Sequence, residues 1–144
     1  MPEKNVMLSI VAEQTVPSGD TNRMEMMTEG RLYHSDGAFC LEYEESEASG
    51  MGKSMTLLMV SDRIVSLIRR GFTTTHMVFS EGKKSYNVYK TPAGSMEMSI
   101  LPTVMEIELG EDAGEIALEY ELEIAGQYTG SNMISISYKT KRLS

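Results

Sequence analysis

The sequence predicts an all-β fold, an antiparallel meander of about eight to ten strands closed into a barrel, and three observations carry that reading. Apolar residues fall at every second position wherever a period can be read. Short clusters of turn-forming residues separate those runs, and no stretch keeps a helical period.

The strictest alternation sets Ile116, Leu118, Tyr120, Leu122 and Ile124 against Ala117, Glu119, Glu121 and Glu123. Wound as a helix, the segment would turn Leu118 and Leu122 away from the face that Ile116, Tyr120 and Ile124 share; extended, it puts all five on one face. The pattern therefore outweighs the helix propensity of Glu, Leu and Ala. The same period of two recurs in Phe39, Leu41 and Tyr43 against Cys40, Glu42 and Glu44, in Met96, Met98 and Ile100, in Met105, Ile107 and Leu109, and in Ile134, Ile136 and Tyr138. Met55 to Val60 also reads as a strand.

Hairpin connections are expected at Ser35-Asp36-Gly37, Ser61-Asp62, Glu81-Gly82-Lys83 and Glu111-Asp112-Ala113-Gly114. Thr91-Pro92-Ala93-Gly94 has Pro where its fixed φ suits a turn, joining strands expected at Tyr86 to Lys90 and Ser95 to Leu101. Pro102 cannot donate to a ladder, so it predicts a bulge or bend dividing the run from Ser95 to Gly110. A meander of this many strands manages its edges by closing as a barrel or folding over as a sandwich, and closure is the expected solution.

Length and composition fit a single domain spanning residues 1–144: the 144 residues are 41% apolar and 24% charged, ordinary for a globular chain. One cysteine, Cys40, rules out an internal disulfide framework, and together with the lack of a signal-like start it predicts a reducing cytoplasm. Thirteen basic against 21 acidic residues give a net charge of −8, which argues against nucleic acid as a partner. No apolar run is long enough for a helical membrane span, and no membrane role is expected. The segment from Thr91 to Tyr138 holds nine acidic residues and no Lys or Arg, while Arg63 to Lys90 holds six basic residues and one acid, so neighbouring strands of opposite sign are expected to pair.

Candidate chemistry is sparse. Gly50-Met51-Gly52-Lys53-Ser54 lacks the spacing of a phosphate loop, since Glu47 stands where its first glycine belongs and a strand follows in place of a helix. Glu42 and Glu44 lie on the face opposite Phe39, Leu41 and Tyr43, hence in solvent unless that face lines a lumen. Cys40 has no nearby cation and reads as a small buried side chain. His34 and His76 have no second ligand at metal spacing, so no metal or cofactor is expected. Arg69-Arg70, with Arg63 and Lys83-Lys84, offers forked donors for an anionic group, but consecutive strand residues face opposite ways and only one arginine of the pair can enter a given site. The 13 methionines, among them Met55, Met59, Met77, Met96, Met98 and Met105 in strands, suit an adaptable apolar interior.

Tyr43-Glu44-Glu45-Ser46, Gly50-Met51, Met77-Val78-Phe79 with Glu81-Gly82-Lys83, Tyr89-Lys90-Thr91-Pro92-Ala93-Gly94 and Leu122-Glu123-Ile124-Ala125-Gly126-Gln127 together resemble the bacterial YwiB-like family, a domain of unknown function. The resemblance runs from about Val6 to Tyr138. It implies a lipocalin-like, calycin-type barrel in a bacterial cytoplasm, a group that mainly binds small apolar molecules in the lumen. The chain departs from the wider group in having no tryptophan for a Gly-x-Trp motif, and in carrying Ile136 two positions before Tyr138 where an Arg-x-Tyr pair would need arginine. The polar positions within the matching motifs, Tyr43, Glu44, Glu45, Ser46, Glu81, Lys83, Tyr89 and Thr91, form the expected ligand-binding list.

The expected function is non-enzymatic binding of a small, partly apolar ligand in the barrel, with no catalytic residue assigned. The alternatives are a protein-interaction module docking a partner at an acidic or Tyr-rich outer face, Glu44 and Glu45 being the acidic positions, and an enzyme using Glu44 or Glu45 with Tyr89. Monomer and homodimer both fit the sequence.

Overall fold

The computed structural model describes residues 3–45, 54–71 and 74–141. Among them are ten strands: β1 (Lys4–Thr15), β2 (Thr21–Ser35), β3 (Ala38–Glu45), β4 (Ser54–Ser61), β5 (Ile64–Arg70), β6 (Thr74–Phe79), β7 (Ser85–Thr91), β8 (Gly94–Glu108), β9 (Ala113–Ile124) and β10 (Gln127–Thr140). Each pairs antiparallel with its neighbours in sequence, and β1 pairs with β10 to close the barrel. Closure leaves no sheet edge to template association, the problem an open sheet of this size would face.

Turn chemistry explains the connections. Asp36 and Gly37 have φ of 50° and 79°, and Ala125 and Gly126 have 53° and 80°, the pair of positive values that matches hairpin twist. The turn of Asp62 and Arg63 has the same form, with φ of 48° and 62°. The expected connection from Ser46 to Lys53, including the glycine-rich run, lies outside the described residues, but β3 and β4 pair directly from Phe39↔Val60 to Glu45↔Ser54.

The bulge expected at Pro102 is present, but it does not divide the run. β8 continues through it to Glu108 and absorbs the missing donor as a bulge, where the register with β9 shifts between Pro102 and Val104. Its carbonyl meanwhile accepts from the Gly82 N–H at 3.0 Å. Gly30, where β2 crosses between β1 and β3, admits no side chain: a Cβ there would lie 2.6 Å from the Glu42 carbonyl oxygen and closer still to the Leu8 side chain.

The lumen is packed more tightly toward one end than toward the other, and cavities of about 320 and 340 Å³ lie toward its two mouths. Toward the β2–β3, β4–β5 and β8–β9 turns, Val6, Leu8, Leu58, Val65 and Leu118 are fully buried, each such burial contributing about 1.5–3 kcal/mol. Tyr138 closes that end, its ring 5.6 Å from Phe39. Toward the β1–β2 and β9–β10 turns, the inward Met26, Met77, Tyr89, Tyr120 and Ile134 are only partly buried. β9 shows the change along one strand, since Ile116 and Leu118 are buried while the residues from Tyr120 to Ile124 are not fully covered.

Two seams interrupt the wall. Among the described residues, β2 pairs with β3 only from Gly30 to Ser35, so its first nine residues ladder there with β1 alone. Among the same residues β6 and β7 pair only at Thr74↔Lys90 and Thr75↔Tyr89; below, the Ser85 hydroxyl donates to the Val78 carbonyl at 2.8 Å in place of a backbone bond.

The charge expectation holds in part. Lys84 reaches Glu123 at 3.2 Å across the basic and acidic segments. Arg63, however, pairs with Glu81 of its own segment at 4.0 Å, and Glu121 accepts from the Tyr128 and Ser131 hydroxyls at 2.6 and 2.8 Å. The reason is phase: the serines of β10 face outward beside the β9 glutamates, so hydroxyls reach those carboxylates without a cation.

Candidate ligand cavity

A row of polar side chains crosses the inner wall where the packed half ends. The register aligns Tyr43 with Thr56, Thr56 with Arg69, Arg69 with Thr75, and Thr75 with Tyr89, one residue from each of β3 to β7. All five share the phase of the inward Leu58, Leu67 and Phe79. Their alignment follows from the sequence of each strand: Val60-Leu58-Thr56, Val65-Leu67-Arg69 and Phe79-Met77-Thr75 all turn from apolar to polar in the same direction along the barrel.

Beside this row lies a cavity of about 340 Å³, lined on one side by Leu67, Arg69, Thr75, Met77 and Phe79 and on the other by Gln14, Tyr120, Asn132 and Ile134. Tyr120 stands edge-on to Phe79 with ring centroids 4.9 Å apart. Burial pushes the Tyr120 phenol up to about 12, against the opposing pull of the Arg69 charge, so at neutral pH it is a protonated hydrogen-bond donor. At the rim, Arg23 is bridged by Glu13 at 3.0 Å and Glu25 at 2.8 Å. Thr56 is fully buried and its hydroxyl has no hydrogen-bond partner. Apolar walls with a few converging polar groups are what a small-molecule pocket requires. A wider depression of about 810 Å³ beside Met7, Met27 and Lys139 is shallow and lies along the outer wall, where it cannot enclose a ligand in the same way.

Of the eight residues singled out from sequence, those whose side chains are described do not converge. Tyr43 and Tyr89 belong to the polar row, Tyr43 at 2% exposure. Glu44 is exposed on β3, on the opposite side of the wall from Tyr43. Glu45 ends β3 opposite Ser54, Thr91 ends β7 opposite Gly94, and Ser46 lies outside the described residues. Glu81 and Lys83 occupy the β6–β7 turn, at the other end of β6 from Thr75, and neither lines the cavity. Strand alternation thus separates Glu44 from Tyr89, and that pair cannot act on one substrate.

Of the basic residues, Arg69 faces the cavity while Arg70 is exposed on the outer wall beside Glu42 and Ile68. Arg63 donates to the Met105 carbonyl at 3.2 Å near the packed end, so it and Lys83-Lys84 do not join Arg69 in one cluster. Glu42 accepts from Arg31 at 2.6 Å and from the Tyr33 hydroxyl at 3.1 Å on the outer face. Cys40 is buried at 2% exposure, and burial raises its thiol. His34 packs edge-on against Phe39 at 5.3 Å, and His76 is exposed on β6. No group of three or more His, Cys, Asp or Glu among the described residues is placed to hold a metal. Thr56, Thr75 and Tyr120 escaped sequence reasoning as site residues; the signal that marks Thr56 and Thr75 is the shared loss of apolar character along the inward faces of β4 and β6, and Tyr120 carries no such signal.

The architecture defines a closed, ten-stranded antiparallel β-barrel with a half-filled lumen. Residues 8–136 match the model of a domain of unknown function, DUF1934, and the chain belongs to that family. It is 24% identical over 121 residues to the uncharacterized beta-barrel protein YwiB of Bacillus subtilis strain 168, covering 84% of each chain. The crystal structure of the B. subtilis ywiB protein superposes with a TM-score of 0.85 at 23% identity, over 97% of this chain and 94% of that one.

Proposed function

We propose that the protein is a non-catalytic binder of a small, partly apolar molecule, held in the lumen of a calycin-type, lipocalin-like barrel in a bacterial cytoplasm. The observation that carries this reading is the space left beside the fully buried core, about 340 Å³ between apolar walls and a polar row. At roughly 30 Å³ per water-sized unit, that space takes about a dozen non-hydrogen atoms, and it falls within the usual range for ligand pockets. The outer wall supports water as its surroundings, because β9 turns Glu115, Glu119, Glu121 and Glu123 outward where a transmembrane barrel would carry an apolar band. The test is native mass spectrometry of protein purified without denaturation, before and after mild organic extraction, against the 16.0 kDa chain. Extra mass that extraction removes supports the reading and identifies the cargo class. A bare chain that also fails to take up any of a panel of small amphiphiles overturns it.

A further inference from the structure

We infer that the outer wall of β4 to β7 is the interface of a symmetric homodimer, in which one copy lays this face against the same face of a second. The sequence of these strands marks it first. β9 alternates apolar with acidic residues, as a wall with one wet side does. β4 instead reads Met55-Thr56-Leu57-Leu58-Met59-Val60 and β5 reads Ile64-Val65-Ser66-Leu67-Ile68, apolar on both phases in the manner of strands covered on both faces. The inward phase fills the lumen, with Leu58 and Val65 fully buried. The other phase turns Leu57, Met59 and Ile68 outward, and β6 and β7 continue it with Val78, Tyr86 and Val88. Register sets Leu57 beside Ile68, and Met59 beside Ser66 and Val78, so the apolar surface is contiguous. Tyr86 and Val88 are 66% and 50% exposed. All ten strands of the described residues lie in the barrel wall itself, so none is left to cover this face.

Charge and extent point to a second copy as the occupant. The chain holds 21 acidic residues at a net charge of −8, which keeps copies apart except where the acids are missing. β4, β5, β6 and β7 carry no carboxylate at all. Acids return only on the flanking strands, as Glu42 and Glu44 of β3 and Glu97 of β8, and Glu42 is held by Arg31 and the Tyr33 hydroxyl. The outward cations of these four strands, Arg70 and Lys90, stand in one row with Thr74 between them, too few to select an acidic partner or an anionic membrane surface. With β3, the face spans five strands at about 4.8 Å and seven residues at about 3.3 Å, roughly 24 by 23 Å, an extent on the order of a standard interface of about 800 Å² per partner. A depression of about 150 Å³ beside Met55, Leu57 and Ile68 gives a protruding side chain of the second copy a socket, and twofold symmetry fills that socket on both copies at once.

Sedimentation velocity of the full-length protein from about 1 to about 100 μM tests this, a range that detects micromolar self-association. The expected species has twice the mass of the 16.0 kDa chain. Ile68→Glu and Val88→Lys each bring a charge to the contact from both copies and should weaken the dimer at least about tenfold, with circular dichroism unchanged. Glu119→Gln, on the acidic β9 wall, should leave the dimer as it is. If Ile68→Glu does not fold, Val88→Lys carries the test, because its position is already half exposed and lies beside Glu97 in register. A chain that stays monomeric over the whole range overturns the proposal, as does a dimer that both folded variants leave intact. Either result is independent of the lumen and of what it holds.

Discussion

The Tyr138 hydroxyl grips both polar atoms of one residue, donating to the Gly110 carbonyl at 2.6 Å and accepting from the Gly110 N–H at 3.0 Å. β10 is thereby tied to the β8–β9 turn, and the packed end of the lumen is closed by a side chain rather than by a loop. Gly114 makes room for the ring, since a Cβ there would collide with the hydroxyl and leave under 2.7 Å to the adjacent ring carbon Cζ. Tyr138→Phe removes both bonds and strands the Gly110 groups, so a loss of about 1–3 kcal/mol is expected. Urea unfolding should show a lower midpoint at unchanged slope. An unchanged midpoint would mean that water replaces the hydroxyl at no cost.

Thr56 gives the opposite sign. Its hydroxyl is buried without a partner, and replacing it with a methyl group of similar shape removes a desolvation penalty. Thr56→Val is expected to stabilise the fold by about 1 kcal/mol. A destabilised variant would show that the hydroxyl is bonded in solution, through an ordered water for instance.

Alkaline pH should weaken the barrel through Tyr120. Its folded pKa is raised to about 12 from the ordinary 10.0, so the unfolded chain loses this proton first. The stability it contributes is complete below about pH 10 and declines as pH rises toward about 12, by an amount on the order of 2 kcal/mol. The difference in tyrosinate absorbance between wild type and Tyr120→Phe isolates this group from the six other tyrosines. A difference titration centred near pH 10 would contradict the assigned environment.

The seam between β6 and β7 should open first. With backbone pairing confined to Thr74↔Lys90 and Thr75↔Tyr89, amides of residues 76–79 and 85–88 need less structure to break than those of β9 or β10. Native-state hydrogen exchange is expected to be at least about tenfold faster there than at Leu118 and Ile136, through local rather than global opening. Uniform protection across all of these would show that the wall unfolds as one unit.

Much of this fold was legible because alternation is a direct record of a half-buried wall, as in Ile116 to Ile124, and because pairs such as Asp36-Gly37 specify hairpins. Pro102 marks the bulge its missing donor predicts, but the strand runs on through it, because the shift in register with β9 absorbs the irregularity without ending β8. The site was far less legible. Nothing local says whether Arg69 or Arg70 enters the lumen; that depends on Thr56 and Thr75 across the sheet. Tyr43 and Tyr89 stood in the matching motifs and do face inward, whereas Glu81 and Lys83 share those motifs for reasons of turn geometry. Thr75 and Tyr120 matter only through residues far away in the chain, and a motif read along one strand cannot see them.

The half-filled lumen separates two kinds of selection. Substitutions among Leu8, Leu58, Val65 and Leu118 are felt by the whole fold, because those side chains have no room to move. Exchanges at Leu67, Met77 or Ile134 alter the shape of a space that is already open. Descendants of one such barrel can therefore reshape that space by drifting at a few inward positions, with no new loop and no new strand.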